Sequence, residues 1–545
     1  MNTAELLVRC LENEGVRHIF GLPGEENMQV LEALQHSSIQ FITTRHEQGA
    51  AFMADVHGRL TGRAGVCLST LGPGATNLMT GVADANLDRA PLIAITGQVG
   101  TDRMHIDSHQ YLDLVAMFDP VTKWCKQIVR PGITPELVRK GFKIAQQEKP
   151  GAVHIDLPEN IAAMPADGAP LEITDNNEVF ASYSSLNRAA ELISKAENPM
   201  ILVGNGAIRA EASAALTEFA TRLNIPVANT FMGKGVIPYT HPLSLWAVGL
   251  QQRDYISCGF DHADLVIAVG YDHIEYSPKR WNPNGTIQII HIGRTPAEVD
   301  SSYIPKVEVV GDISDSLNEL LRRADRTGRP TPYAVHLRDD IRAEYYEYAD
   351  DHGYPLKPQK IIYDLRQVLG ADDILISDVG AHKMWVARHY HCDRPNTCLI
   401  SNGFAAMGIA IPGAVAAKLI YPRRKVVAVT GDGGFMMNMQ ELETAVRVGT
   451  PFVTLIFNDG GYGLIEWKQQ THFNRAAYVR FANPDFIRLA ESMGLRGYRV
   501  ETAAELLPIL KEALALEVPA VIDCPVDYRE NLLLSQKVKK ISCVP

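Results

Sequence analysis

The sequence predicts an α/β protein made of three doubly wound parallel-sheet domains in tandem, and three observations predict it. The chain has 545 residues, too many for one hydrophobic core, since domains usually run roughly 100–200 residues. Short apolar runs rich in β-branched residues alternate with helix-favouring stretches from end to end, the pattern of strands joined by helical crossovers. Two polar or charged stretches, about 165–185 and about 323–359, break that alternation into three blocks. The domain boundaries expected from them are 1–165, 186–325 and 358–545.

In the first block, Val66–Thr70 and Leu92–Thr96 read as buried strands, and Val153–Leu157 closes the block. The stretch from Gln48 to Leu60 before them favours helix. The polar run from Pro165 to Ser185 reads as a linker. The second block opens with a strand at Met200-Ile201-Leu202-Val203 that runs into Gly204-Asn205-Gly206, and continues through Leu265–Gly270 and Ile287–Ile292. The third contains Ile374–Asp378, Lys425–Thr430 and Phe452–Phe457, and Pro519–Cys524 closes it. No short-period repeat or low-complexity tract interrupts the three blocks.

Apolar residues make up 46% of the chain and charged residues 21%, the balance of a globular domain with a solvated surface. No apolar run is long enough to cross a bilayer. The N-terminal Met1-Asn2-Thr3-Ala4-Glu5 lacks a basic region followed by an apolar stretch, so no secretory leader is expected. A net charge of −11 argues against general nucleic-acid binding, which needs a basic face. It does not exclude an anionic substrate, because helix N-termini and local basic groups bind anions on acidic proteins. The eight cysteines, Cys10, Cys67, Cys125, Cys258, Cys392, Cys398, Cys524 and Cys543, form no Cys-x-x-Cys pair. Scattered single cysteines suit a reducing compartment, and a cytoplasmic protein is expected.

The most specific chemical signal lies in the third block. Gly431-Asp432-Gly433-Gly434 follows an apolar strand and precedes a helix-favouring stretch, Met439 to Val446. A glycine turn there exposes N–H groups and a helix N-terminus, which suit a diphosphate. An aspartate inside such a turn would repel phosphate unless it holds a cation, and Mg2+ bridges carboxylates and phosphates readily. Asn458-Asp459-Gly460-Gly461-Tyr462 follows the next strand and offers further oxygen ligands beside permissive glycines. Either turn alone is more often only a turn; two after successive strands form a much more selective pattern.

This pairing resembles the signature of thiamine-diphosphate enzymes, a Gly-Asp-Gly followed at an interval by an Asn-Asn-like pair. The resemblance implies Mg2+ ligands at Asp432, Asp459 and the carbonyl of Gly461, with Gly433, Gly434, Gly461 and Tyr462 around the diphosphate. It extends over nearly the whole chain. Arg45-His46-Glu47-Gln48-Gly49 resembles the segment whose glutamate exchanges a proton with N1′ of the aminopyrimidine, so Glu47 is the implied activating carboxyl, partly buried and with its pKa raised by desolvation. By itself, a glutamate there would as readily be an exposed helix-start residue. Phe20-Gly21-Leu22-Pro23-Gly24 and Gly72-Pro73-Gly74-Ala75-Thr76-Asn77 resemble cofactor-facing loops, implying roles for Pro23, Gly24, Gly72 and Asn77. Asn402-Gly403-Phe404-Ala405-Ala406-Met407-Gly408 resembles the pyrimidine-holding segment. Ala405 would contribute its carbonyl there, and Met407 its N–H and the apolar wedge that bends the cofactor. Gly380-Ala381-His382 resembles further diphosphate contacts, although His382 could otherwise be a solvated loop histidine.

Within these enzymes the chain is most similar to the acetolactate synthase family. Ile95-Thr96-Gly97-Gln98-Val99, Ser108-His109-Gln110, Val115–Phe118 with Pro120–Lys123, and the C-terminal Pro525–Asn531 carry that resemblance. Gly270–Pro278 with Trp281-Asn282 resembles the catabolic, flavin-free branch. Glu159, after Asp156-Leu157-Pro158, stands where flavin-carrying members have a lysine, so FAD is not expected. Gly204-Asn205-Gly206 is short of a full dinucleotide fingerprint and reads as a structural turn. The position of the tryptophan that favours 2-ketobutyrate falls on Lys468, beside Trp467. The implied activity is decarboxylation of pyruvate and transfer of the two-carbon unit to a second 2-keto acid. Gln110, with Gln98 and the backbone near Gly24, would position the acceptor. The implied assembly is a homodimer or homotetramer with active sites between subunits. The rival expectations are another thiamine-dependent decarboxylase, carboligase or sulfoacetaldehyde acetyltransferase-like enzyme and, from different classes, a non-catalytic regulatory homologue or a flavin oxidoreductase.

Overall fold

The computed structural model describes residues 1–174, 179–249, 255–326 and 332–539. Three six-stranded sheets follow one another along the chain, and every strand pair is parallel. The first contains β1 (His18–Gly21), β2 (Gln40–Thr43), β3 (Gly65–Ser69), β4 (Leu92–Gln98), β5 (Trp124–Gln127) and β6 (Ala152–Pro158). The second contains β7 (Pro199–Val203), β8 (Val227–Asn229), β9 (Ser244–Ala247), β10 (Leu265–Val269), β11 (Gln288–Gly293) and β12 (Val307–Val310). The third contains β13 (Ile374–Ser377), β14 (Cys398–Ile400), β15 (Val426–Gly431), β16 (Val453–Asn458), β17 (Arg496–Arg499) and β18 (Ala520–Pro525). Helices fill the crossovers, because parallel neighbours cannot be joined by tight hairpins.

The outer sheets share one topology. The first runs β2-β1-β3-β4-β6-β5 and the third β14-β13-β15-β16-β18-β17, the same order when each is counted from its own first strand. The middle sheet, β12-β11-β10-β7-β8-β9, has the dinucleotide-type order instead. In each sheet the chain reverses its direction of winding beside the first strand, leaving a crevice at the carboxyl ends where ligands bind in open α/β sheets.

Central strands such as Cys67, Ala94 and Ile155, Ile201 and Ile267, and Ala428 and Leu455 are fully or almost fully buried. Helices cover both faces of each sheet, so these strands are largely apolar rather than alternating, with buried His154 and Asp156 of β6 as polar exceptions. One core is shared between the outer blocks. The helix Glu47–Thr61 packs along the helix Ala410–Ile420, and Ala50, Phe52 and Met53 join Ile376, Ala414 and Phe435 in a single cluster.

The expected linkers are more structured than polarity suggested. A helix, Tyr183–Lys195, starts inside the first, with Ser182 capping it by accepting from Ser185 N–H. In the second, the helix Pro332–Tyr346 buries Leu337 and Tyr345, and Glu344 pairs with Arg388 of the third block. Residues 175–178, 327–331 and 540–545 of the expected linkers and third block lie outside the described residues. Among the described residues no helix is long and apolar enough to cross a membrane. Among the described residues six cysteines are buried free thiols.

Candidate active site

Two helices of the third block open side by side at its crevice. β13 is followed by the helix Ala381–His389 with Gly380 at its N-cap, and β15 by the helix Asp432–Asn438. The second differs from expectation. Gly431-Asp432-Gly433-Gly434 is not a free turn before a later helix, since Asp432 itself begins the helix and both following glycines lie in its first turn. Space accounts for those glycines. A Cβ at Gly433 would lie 2.8 Å from the Tyr462 ring, and one at Gly434 would lie 3.0 Å from both Asp378 Oδ2 and Thr430 Oγ1. His382 is no solvated loop residue either. It is 2% exposed, Gly380 and Gly431 pack against its ring, and burial lowers its imidazole to about 3, so it stays neutral.

Asp432 ties the two predicted turns together. Its Oδ1 accepts from Gly433 N–H at 2.8 Å. Its Oδ2 accepts from Gly460 N–H at 2.7 Å, from Gly461 N–H at 3.3 Å and from Asn483 Nδ2 at 2.7 Å. Asn483 also donates to Asn458 Oδ1 at 3.0 Å. Asp459 stands nearby. Burial, and then the charge of Asp432, push its carboxyl up to about 7, and burial also raises Asp432. Two buried carboxyls with raised proton affinity, one of them raised in part by the charge of the other, form a donor set suited to a hard divalent cation. Arg480 supplies part of that compensation, with Nη1 3.4 Å from Asp459 Oδ2 and a contact to Glu466. Asn483 and Arg480 carry no motif, and only the fold brings them to this loop. Tyr462 is exposed, with its ring against Phe481 at 5.1 Å.

β14 leads into the segment Ser401–Gly408. Ala405 adopts φ of +59°, rare for a residue with a side chain, and Gly408 has φ of +97°. The segment is pinned at both ends. Asp378 accepts from Gly408 N–H at 2.8 and 3.0 Å, and Asn438 Nδ2 donates to the Gly408 carbonyl at 3.0 Å. On the other side, Asp88 accepts from Asn402 and Gly403 N–H groups, and Asp84 from Ser401 and Ala406. Met407 is left half-buried, so its side chain retains an open face. These pinned, strained positions are where a ligand-shaping loop is expected.

Glu47 opens the helix Glu47–Thr61, whose N-cap His46 accepts from Gln48 N–H through Nδ1 at 3.1 Å. The glutamate is only 8% exposed, so it is not a solvated helix-start residue. Asn77 Nδ2 donates to Glu47 Oε2 at 3.0 Å, and Oε1 lies over Gly74, where a Cβ would come within 3.3 Å. Gly72, with φ of +51°, sits against Gln110, itself at φ of +57° and exposed. Pro23 is exposed, and Gly24 packs on Thr70 beside Gly72 in sequence. Gln98 corrects an expectation. It is 1% exposed, donates to the Leu112 carbonyl at 3.0 Å and accepts from Val99 N–H, so its amide is committed inside the protein. Among the described residues no hydrogen bond or ion pair joins Glu47 to Asp432 or Asp459 within the chain.

In the middle block, Gly204-Asn205-Gly206 closes tightly on Gly270, whose carbonyl lies 2.6 Å from a Cβ built at either glycine. The crevice beyond is occupied by Glu275, which accepts from Asn205 N–H at 3.0–3.1 Å and from Thr230 Oγ1. Glu159 is likewise engaged, with Gly100 N–H and Arg103. Trp467 is buried in the core, and Lys468 is exposed.

Comparison with known proteins adds three matches along the chain. Residues 1–117 match the thiamine pyrophosphate enzyme N-terminal TPP binding domain, 186–320 the central domain, and 378–524 the C-terminal TPP binding domain. The chain is 35% identical to an acetolactate synthase of Bacillus subtilis, over 98% of this chain and 95% of that one. It is 37% identical to a catabolic acetolactate synthase of Raoultella terrigena, over 97% and 96%. It is 32% identical to the large subunit of acetolactate synthase isozyme 2 of Escherichia coli, over 98% and 97%.

Proposed function

Because the chain belongs to the acetolactate synthase family of thiamine pyrophosphate enzymes, we propose that it decarboxylates pyruvate and joins the two-carbon unit to a second 2-keto acid, forming acetolactate when the acceptor is pyruvate. The observation that carries this reading is the burial of Glu47 with its carboxylate oriented by Asn77. A carboxyl so held can pass a proton repeatedly without exchanging partners with water.

When bound, thiamine diphosphate supplies a nucleophilic carbon and an electron sink. Glu47 holds and returns the proton of the aminopyrimidine N1′. Ala405 and Met407 orient the pyrimidine, with Asp378, Asp84 and Asp88 fixing the segment that carries them. The paired helix starts at Ala381 and Asp432 receive the diphosphate, where N–H groups and helix dipoles favour anions. Asp432, Asp459 and the Gly461 carbonyl hold Mg2+, with Gly433, Gly434 and Tyr462 shaping the same pocket and Gly380 and His382 behind it. Exposed Gln110, beside Gly72, faces the acceptor together with the backbone near Gly24, and Pro23 lies on the cofactor side.

FAD is not required on this reading, because Glu275 already takes the Asn205 N–H at the helix start that a nucleotide phosphate would use in the middle block. The purified protein is then colourless and fully active without added flavin. The three blocks correspond to domains near 1–165, 186–325 and 358–545, and the active site forms between two copies of the chain. A cytoplasmic location is in keeping with these small, charged substrates. The direct test is incubation with pyruvate, thiamine diphosphate and Mg2+. Acetolactate as the principal product supports the assignment, whereas acetaldehyde alone, or no release of CO2, overturns it.

A further inference from the structure

A second cavity lies where the three blocks meet, apart from the residues assigned above. Its volume is about 320 Å³, in the range of small-ligand sites. Five cationic side chains line it, Arg59, Arg89, Arg209, Lys234 and Arg294, against two carboxylates, Glu148 and Glu211.

Four of the five are matched. Arg59 pairs with Asp55, Asp84 and Asp88, Arg89 with Asp272, Arg209 with Glu148, and Arg294 with Asp312. Lys234 differs. It is 5% exposed, donates from Nζ to the Ala387 carbonyl at 3.0 Å, and has no carboxylate at ion-pair distance among the described residues. Its backbone is fixed, since Gly235 at φ of +83° is pressed against the Arg394 carbonyl. Arg209 also keeps a donor in reserve, because its buried Nη1 has no hydrogen-bond acceptor. A buried ammonium without a carboxylate partner and a buried guanidinium nitrogen without an acceptor are each costly. Here both belong to the lining of one cavity, whose other walls include Ile208, Met232 and Leu399.

We propose that this cavity binds a phosphate group, as inorganic phosphate or as a compact phosphomonoester, with Lys234 and Arg209 as its principal donors. Phosphate supplies the missing negative charge and enough acceptor oxygens for both side chains. The apolar wall accommodates the organic part of an ester. β14 borders the cavity through Cys398, Leu399 and Ile400, so an occupant would brace the strand that leads into the segment Ser401–Gly408.

The test uses the full chain loaded with thiamine diphosphate and Mg2+ in phosphate-free buffer. Isothermal titration with inorganic phosphate and, separately, with adenosine monophosphate distinguishes the free ion from an ester. The expected result is saturable binding of at least one of them, weakened about tenfold or more in Lys234→Met, the scale of losing a charged hydrogen bond, and largely retained in Lys234→Arg. No saturable binding of either probe, or equal affinity in a folded Lys234→Met chain, overturns the proposal. If Lys234→Met does not fold, crystals of the wild-type chain soaked with tungstate decide. Density in this cavity supports the site, and density only elsewhere overturns it.

Discussion

Asp84, on the helix Pro73–Leu87 of the first block, accepts a hydrogen bond from Ala406 N–H at 3.2 Å, in the segment of the third block that carries Met407. The same oxygen accepts from Ser401 Oγ at 2.7 Å. Asp84 shares Arg59 with Asp55 and Asp88, three carboxyls around one buried guanidinium. Burial, followed by the charges of Asp88 and Asp55, raises Asp84 well above the usual carboxylate range, so the cluster as a whole favours retaining a proton. Asp84→Asn, which imitates a protonated carboxyl, is therefore expected to fold and to bind thiamine diphosphate nearly as the wild type does. Asp84→Ala leaves Ser401 Oγ and Ala406 N–H without their acceptor and is expected to weaken cofactor binding by about tenfold or more. Cofactor titration by tryptophan fluorescence checks both, and equal loss in the two variants would contradict the protonated state.

The metal loop makes its own prediction. Asp432 anchors Gly460, Gly461 and Asn483 as well as facing Asp459. Asp432→Ala should weaken Mg2+ and thiamine diphosphate together, each by about tenfold or more, because a cation held at Asp432 would supply the positive charge that favours a diphosphate beside it. Unchanged cofactor affinity in a Mg2+ titration would place the metal elsewhere.

Much of this architecture is legible in the sequence, and what is hidden has physical causes. The ten apolar runs read as strands all occur, with ends shifted by a residue or two. Every one of the six edge strands escapes notice, for instance Cys398–Ile400 and Arg496–Arg499. Like the interior strands β1 and β8, which escape as well, they are only three or four residues long, too short to leave a periodic signal even where they are apolar and buried. The shared topology of the outer sheets is a matter of chain path, and no local repeat marks it. At the site, glycines and acids in motifs stand out, but their supports do not. Asn483 reaches Asp432 across 51 residues, and Glu441 reaches Arg45 across 396. A glutamine at the end of an apolar strand reads alike whether its amide faces a ligand or, as with Gln98, the Leu112 carbonyl.

Glu441 gives a pH prediction. Its carboxylate accepts from Arg45 N–H and His46 N–H, both at 3.0 Å, and from Thr444 Oγ1 at 2.7 Å, bracing the start of the helix that begins at Glu47. Burial pushes its carboxyl up to about 7, from an ordinary value of 4.5. Between those two values the folded state binds the proton more tightly than the unfolded state does. Stability from this group is therefore highest below about pH 4.5 and falls as pH rises towards 7, then levels off. Relative to Glu441→Gln, the wild-type Tm should decline across that window. A Tm difference independent of pH would show that Glu441 ionises normally in the folded chain.

The proposed intersubunit arrangement is testable by complementation. Glu47→Gln and Asp432→Ala chains are each expected to be inactive alone. Co-expressed with different tags and isolated as a hybrid, they should regain activity, since one cleft holds both lesions and the other neither. Closed two-fold pairing makes this arithmetic possible. A verified hybrid no more active than its parents would mean that both residues serve the same cofactor within one chain.

The most direct measurement is hydrogen–deuterium exchange at C2 of thiamine diphosphate bound to wild-type and Glu47→Gln chains. It reads the proton transfer assigned to the buried Glu47–Asn77 pair without needing turnover of pyruvate. An amide cannot exchange the N1′ proton, so the Glu47→Gln chain should bind the cofactor normally and exchange about 100-fold or more slowly, the scale of a lost general acid–base group. Exchange at the wild-type rate in a cofactor-saturated Glu47→Gln chain would contradict the account at its centre.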